Sequence, residues 1–133
     1  MKITKIKVRG YHLDVFSHVN NARYLEFLEE ARWHAFEEEN ITTEIFAQKG
    51  IAFAVVNINI SYKFPAGLGH ILRIETVLKS KGSRSITLSQ KIFLDDNDTL
   101  VVDAEVTFVV IDMKTGRAKE LTDDLDEIIK SFT

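Results

Sequence analysis

Four polar residues, Asp14, His18, Asn20 and Asn21, crowd into the stretch RGYHLDVFSHVNNARY, in a chain whose other loops are plain. Their types define the chemistry on offer. A carboxylate with a reference pKa near ~4 is ionised at neutral pH, so Asp14 can serve as a nucleophile or as the base for a water molecule. Asn20 and Asn21 stand just ahead of a helix-forming run, where asparagine oxygens ordinarily satisfy the free amides of a first turn. Asp14 lies too far upstream to cap a helix beginning near Ala22, which leaves solvent exposure or chemistry as its two readings. His12, Asp14 and His18 could also be read as an open metal triad. No helical HExxH spacing supports that reading, and no metal or other cofactor is expected.

The elements that must position these residues are written in alternation and periodicity. Residues 3 to 9 set Ile3, Lys5, Lys7 and Arg9 against Thr4, Ile6 and Val8, a short opening strand. From Ala22 to about Glu39, Leu25, Leu28, Ala31, Ala35 and Phe36 recur at three- and four-residue steps among good helix formers. Tyr24, Phe27 and Trp33 widen the apolar face, so this helix is expected to be covered on more than one side. Thr42 to Lys49 reads as a short helix capped by Thr42 or Thr43 and stopped at Gly50. In IAFAVVNINISYKF, Ala52, Ala54, Val56, Ile58, Ile60 and Tyr62 share one face of a long strand, with Phe53 and Val55 on the other.

Three more alternating segments, about 70–80, 84–94 and 100–112, are separated by Lys81-Gly82-Ser83 and by Asp95-Asp96-Asn97-Asp98 and read as adjacent hairpins. Their expected inward residues are Leu72, Ile74 and Leu78, then Ile86, Leu88 and Ile92, then Val102, Ala104, Val106 and Phe108. Val101, Val109 and Ile111 are expected to point outward. A terminal helix from about Asp123 to Phe132 completes the chain. An antiparallel sheet with one hydrophobic face must cover that face, and the single long apolar helix is the available cover. The expectation is an α+β chain with the sheet wrapped around the helix.

The totals narrow the function classes. A chain of 133 residues is read as a single domain, 1–133, with one real core and no room for two full enzymatic domains. No apolar run is long enough to cross a bilayer, and the opening MKITKIKVRG lacks the apolar segment of a signal peptide, so a cytoplasmic protein is expected. The absence of cysteine removes disulfides, thiolate catalysis and sulfur-ligated zinc. A net charge of −3 disfavours a phosphate-tracking nucleic-acid surface.

The run Asp14-Val15-Phe16-Ser17-His18-Val19-Asn20-Asn21-Ala22-Arg23-Tyr24, followed by Phe27, Glu29, Ala31 and Arg32, resembles the signature of the 4-hydroxybenzoyl-CoA thioesterase-like hotdog family. Within that family, RGYHLDVFSHVNNARYLEFLEEARW and IAFAVVNINISYKFPA are most similar to the bacterial long-chain acyl-CoA thioesterase III branch. The likeness covers essentially the whole chain. It implies a hotdog fold, in which an antiparallel five-stranded sheet wraps around a long central helix. It also implies hydrolysis of acyl-CoA thioesters, with Asp14 acting on the thioester and the backbone amide at Asn21 binding its oxygen. His18 matches a histidine of the related plant acyl-ACP thioesterases. Those enzymes carry an Asn two residues after the Asp, and Phe16 stands there instead, so His18 is given only a supporting role. Phe16 and Tyr24 are expected to touch substrate. Lys81, Arg84 and Ser85, on the hairpin that family members use for coenzyme A, are expected to bind its phosphates.

Three alternatives remain beside this reading. One is a non-catalytic acyl-CoA binding module, and another is a hydrolase of a short or aryl acyl-CoA. The third is a dehydratase or hydratase on the same scaffold, whose expected His and Pro-Gly pattern is absent. Glu29 and Glu30, on the long helix, are read as a solvated face and not as the catalytic carboxylate. The resemblance implies a homo-oligomer, a dimer at least and a tetramer where outward apolar strand residues need cover.

Overall fold

The computed structural model describes residues 1–133. In chain order it contains β1 (Lys2–Lys7), α1 (Asn21–Glu38), α2 (Thr43–Lys49), β2 (Ile51–Tyr62), β3 (Ile71–Lys81), β4 (Ser85–Leu94), β5 (Leu100–Asp112) and α3 (Asp126–Lys130). Short 3-10 turns at Gly10–His12 and Asp123–Leu125 precede α1 and α3. All strand pairings are antiparallel, and the order across the sheet is β1-β3-β4-β5-β2, so β1 and β2 are its edges. The sheet curls around α1, which is the hotdog arrangement.

Local chemistry accounts for these boundaries. Residues 21–38 contain neither Gly nor Pro, and the Asn20 side chain accepts from the Ala22 N–H to start the helix. The chain leaves α1 through Asn40 in the left-handed region at φ 58°. Thr42 caps α2 by accepting from the Ile45 N–H, and Gly50 ends it at φ 66°, a conformation that costs glycine nothing. The opening strand stops at Lys7 instead of Arg9: the Val8 N–H still donates in register to the His70 carbonyl, but the His70 N–H turns to the Gly67 carbonyl and the Gly69 N–H takes the Val8 carbonyl. The expected terminal helix is shorter than its sequence span, with its first turn taken by the 3-10 segment.

The inner face of the sheet meets α1 as the alternation requires. Leu72, Ile74, Ile86, Leu88, Ile92, Val102, Ala104, Val106 and Phe108 are all buried, with Leu78 partly so. On α1 the buried residues are Tyr24, Phe27, Leu28, Ala31, Ala35 and Phe36. Leu25, expected inward, is 38% exposed because it lies on the helix flank that faces β2, where cover is thin.

Bulges overturn two expectations on the strands. In β2 the register shifts at Val56: Val55 lies opposite Phe108 and Ile58 opposite Val106. The extra residue reverses the alternation, so Phe53 and Val55 before it share the inner face with Ile58, Ile60 and Tyr62 after it. Ala52 and Ala54 take the outer face that had been expected for Phe53 and Val55. In β5, Ile92 pairs with Val102 and Phe93 with Leu100, leaving Val101 as the extra residue, and Val101 is fully buried. Val109 and Ile111 keep their outward positions and are half-buried.

One polar residue breaks the inner column. Gln90 is fully buried between Leu88 and Ile92. Its amide nitrogen donates to the Leu28 carbonyl and to Thr76 Oγ1, both at 3.0 Å, and its oxygen accepts from Arg32 Nη1 at 3.0 Å. Burial pushes the Arg32 guanidinium below its ordinary value, although nearby Glu29 works the other way. Replacing Gln90 with Leu leaves that guanidinium without its acceptor and the Thr76 hydroxyl without its donor. Gln90→Leu is expected to cost about 2–4 kcal/mol in urea denaturation, and Thr76→Val less.

Candidate active site

The polar loop is built on a buried histidine. His12 lies at the end of the first 3-10 turn, where its Nδ1 accepts from the Arg9 N–H at 2.8 Å. Its ring stands edge-on to Phe27 with centroids 4.9 Å apart. Burial first, and then the cations of Arg23 and Arg9, hold its pKa below the ordinary histidine value despite nearby Glu26. Beyond it, Leu13 and Val19 form an isolated antiparallel bridge that carries residues 14–18 as a tight projecting loop. The Asp14 N–H donates to the His18 carbonyl at 2.9 Å, and the Ser17 N–H donates to the Asp14 carbonyl at 3.1 Å. Ser17 closes the turn at φ 62°. Asp14 Oδ1 accepts from the Phe16 N–H at 2.9 Å, which orients the carboxylate and leaves its other oxygen free of partners within the chain.

The loop is tied down behind this turn. The Val19 N–H donates to the Ala66 carbonyl at 2.9 Å, and the Ala66 N–H donates to the Tyr24 hydroxyl at 3.1 Å. The Asn20 N–H donates to the His12 carbonyl at 2.9 Å while its side chain caps α1. Asn21 is then the first helical residue. Its N–H finds no acceptor within the chain, and its carbonyl accepts from the Tyr62 hydroxyl at 3.3 Å. A carboxylate and a free amide at the positive end of an 18-residue helix therefore flank one short loop.

The remaining expected residues are distributed unevenly. The His18 side chain is exposed and reaches Asp14 only through its backbone carbonyl. Phe16 is 77% exposed at the loop tip. Tyr24 is buried as an anchor, its hydroxyl taken by Ala66 and its pKa raised by that burial. Lys81, Arg84 and Ser85 lie on the β3–β4 turn, closed by the Gly82 N–H donating to the Ser85 carbonyl at 2.8 Å. This turn is the length of β3 away from the Asp14 loop, roughly 30 Å at ~3.3 Å per strand residue. Arg84 is within 3.4 Å of Glu120, whereas Lys81 is exposed without an ion-pair partner. No three His, Asp or Glu side chains gather closely enough to hold a metal ion, and the Nδ1 of His12 is already occupied. Sequence reasoning missed Tyr62 as the residue that braces the helix start. Its only signal was its place as the last inward position of a long strand.

Two solution experiments separate these roles. Asn20→Ala is expected to lower stability by about 1 kcal/mol through loss of the cap, and Asn21→Ala by far less, read by chemical denaturation. Neutral His12 in the fold competes with a histidine that protonates near pH ~6.5 in the unfolded chain. The unfolded state therefore binds more protons between the depressed folded pKa and about 6.5, so stability falls as pH drops through that window. His12→Asn, which keeps an acceptor for the Arg9 N–H, is expected to flatten the slope between about pH 7 and pH 5.

Comparison with known proteins adds an independent line. Residues 8–129 match the thioesterase-like superfamily. The long-chain acyl-CoA thioesterase FadM of Escherichia coli (strain K12) is 50% identical over 129 residues, 97% of each chain. The acyl-CoA thioesterase YbgC of Helicobacter pylori (strain ATCC 700392 / 26695) is 31% identical over 97 residues, 71% of each chain. Among solved structures, the probable thioesterase YbaW of Escherichia coli superposes with a TM-score of 0.88 at 48% identity, covering 99% of this chain and 98% of that one. The 1,4-dihydroxy-2-naphthoyl-CoA thioesterase Slr0204 of Synechocystis shares the fold at a TM-score of 0.87 and 17% identity, covering 97% and 95%. By sequence match and by fold, the chain belongs to the thioesterase-like superfamily.

Proposed function

We propose that this protein hydrolyses acyl-CoA thioesters, long-chain ones above all, to the free acid and coenzyme A, as a single catalytic domain. The observation that carries the reading is that one short loop holds half-buried Asp14, its carboxylate oriented by the Phe16 N–H, and leads directly into the unpartnered N–H of Asn21. The thioester oxygen would accept from that N–H, and one such donor in a preorganised site is worth ~3–4 kcal/mol to a developing oxyanion. Asp14 then has two routes. As nucleophile it attacks the carbonyl carbon, expels the coenzyme A thiolate and forms a mixed anhydride that water opens. As base it takes a proton from the water that attacks instead. The Tyr62 hydroxyl on the Asn21 carbonyl steadies the residue whose N–H would hold the oxyanion, and His18 serves to shape the loop. The long-chain preference is supported by the 50% identity to a relative named for that substrate class.

The free edge of β2 supports a homodimer, with a tetramer as the larger form. Pairing β2 antiparallel with its own copy sets the Ile51 end of one protomer beside the Tyr62 end of the other. The β3–β4 turn sits at the Ile51 end, since Ser85 lies opposite Val109 and Val109 opposite Ala54. The second copy's turn would thereby approach the first copy's Asp14. Lys81, Arg84 and Ser85 can serve the phosphates of the same coenzyme A only in this way, because within one chain they are too far from the loop.

Thiol release from palmitoyl-CoA and from a short aryl-CoA tests the reading. Asp14→Asn is expected to keep the circular dichroism of the parent and lower kcat by about 100-fold or more, while Glu29→Gln changes kcat little. Undiminished turnover in the Asp14 variant would remove that residue from the mechanism. An inert wild-type protein that still binds acyl-CoA would make it a binding module. Single turnover in oxygen-18 water separates the two routes, since only the anhydride path can leave label on Asp14.

A further inference from the structure

The flank of α1 turned away from β2 takes no part in the chemistry above. Arg23, Glu26, Phe27 and Glu30, three and four residues apart, form one stripe there, opposite the flank that bears Leu25 and Arg32. Between that stripe, Ile6 and Lys7 of β1 and the first 3-10 turn lies a cleft of about 380 Å³, room enough for a small organic ligand. Its inner wall is His12, only 8% exposed and set between the rings of Tyr11 and Phe27. The Nδ1 of His12 accepts from the Arg9 N–H, so the neutral imidazole carries its proton on Nε2. That N–H has no acceptor within the chain, yet it is not sealed off, and the space it reaches is the cleft. A nearly buried donor left open in this way lacks a partner that a ligand oxygen would supply.

The rim of the cleft narrows the class of ligand. Lys7 and Arg9 line it without an ion-pair partner, while Arg23 is neutralised by Glu26 at 2.9 Å. Two free cations beside a neutral N–H donor match a phosphate, whose oxygens can accept from all of them at once. The Tyr11 ring is 72% exposed and meets His12 edge-on with centroids 4.3 Å apart, which leaves a face open for a planar base. Glu30 is the remaining unpaired group, an acceptor for the hydroxyls that a nucleoside carries between base and phosphate. Two carboxylates in one cleft, Glu26 and Glu30, tell against a highly charged ligand. The nucleotide end of coenzyme A, with a diphosphate and a further phosphate, is therefore a poorer fit than a single phosphate.

We propose that this cleft is a second site, distinct from the thioester site, which binds a nucleoside monophosphate. The phosphate lies on Lys7, Arg9 and the His12 Nε2–H, and the base on the Tyr11 ring. The site shares a foundation with the Asp14 loop, because the His12 carbonyl accepts from the Asn20 N–H at 2.9 Å. A ligand on the ring thereby braces the residue from which the Asn20 cap is hung. Binding needs no turnover, so the inference stands apart from the thioesterase reading.

The test is calorimetric titration of the full-length protein with AMP, adenosine and inorganic phosphate, alongside nitrogen-15 spectra of its imidazoles. AMP should bind about tenfold or more tightly than either half alone and should move the His12 Nε2 signal. Replacing both cations, Lys7→Gln with Arg9→Gln, keeps the Arg9 N–H and should weaken AMP by about tenfold or more. Tyr11→Ala should weaken it by about tenfold through the lost stacking. The double variant should leave KM for palmitoyl-CoA unchanged, and Asn at position 14, in Asp14→Asn, should leave AMP binding unchanged. AMP that does not bind, or that leaves the His12 signal unmoved, overturns the proposal. Inorganic phosphate binding as tightly as AMP does so too, since the cleft would then be a plain anion site. A raised KM for palmitoyl-CoA in the double variant would assign the cleft to the coenzyme A end of the substrate and overturn it likewise. A protein that binds AMP in this way but hydrolyses no acyl-CoA removes the thioesterase reading and supports this one.

Discussion

The height and rotation of α1 above the sheet decide where everything else falls, and one buried amide fixes them. Gln90 reaches from the middle strand to the backbone of α1 at Leu28 and to the Arg32 side chain one turn further on. A hydrophobic contact would tolerate a slide along the sheet, but a hydrogen bond at 3.0 Å does not. A small shift of α1 along its axis would move the Asn21 amide away from the Asp14 loop, which is tied separately to Ala66. The core thus sets the register of the candidate chemistry from roughly ten residues away along the helix.

The loop itself is short and is fastened at few points. Its backbone is held by bonds to His12, Ala66 and its own turn, and its tip presents Val15 and Phe16 to solvent at 92% and 77% exposure. Two large apolar side chains at a loop tip are costly to leave in water, and a bound acyl thioester or a neighbouring subunit would relieve that cost. The two sides of the site therefore differ in character. The amide belongs to a rigid helix start and the carboxylate to a short, locally braced turn.

Much of this was legible in the chain because the signals were local. Alternation marked the inner columns of β3, β4 and β5, and Thr42 and Gly50 marked the ends of α2, since each depends on near neighbours. The polar run at residues 14–21 stood out by composition and by its likeness to a family signature. What escaped depends on distant partners. A bulge is a property of two strands together, so nothing within IAFAVVNINISY reveals that Val56 is the extra residue. Nothing near Gln90 in sequence marks it as a buried anchor, because its partner Arg32 lies 58 residues away. Which of two adjacent asparagines would cap the helix was likewise open, because either oxygen could reach a first-turn amide; the backbone tie of Asn20 to His12 decides it.

The two edges of the sheet carry opposite characters. The strand β1, KITKIK, places three lysines in six residues, whereas β2, IAFAVVNINISY, has no charged residue in twelve. Charge on an exposed edge discourages another strand from adding there, and its absence invites one. Each copy thus has a valence of one for edge-to-edge growth. Two copies joined along β2 would present only lysine-bearing borders to solution, so the same sheet that can close into a pair is protected from extending into a ribbon.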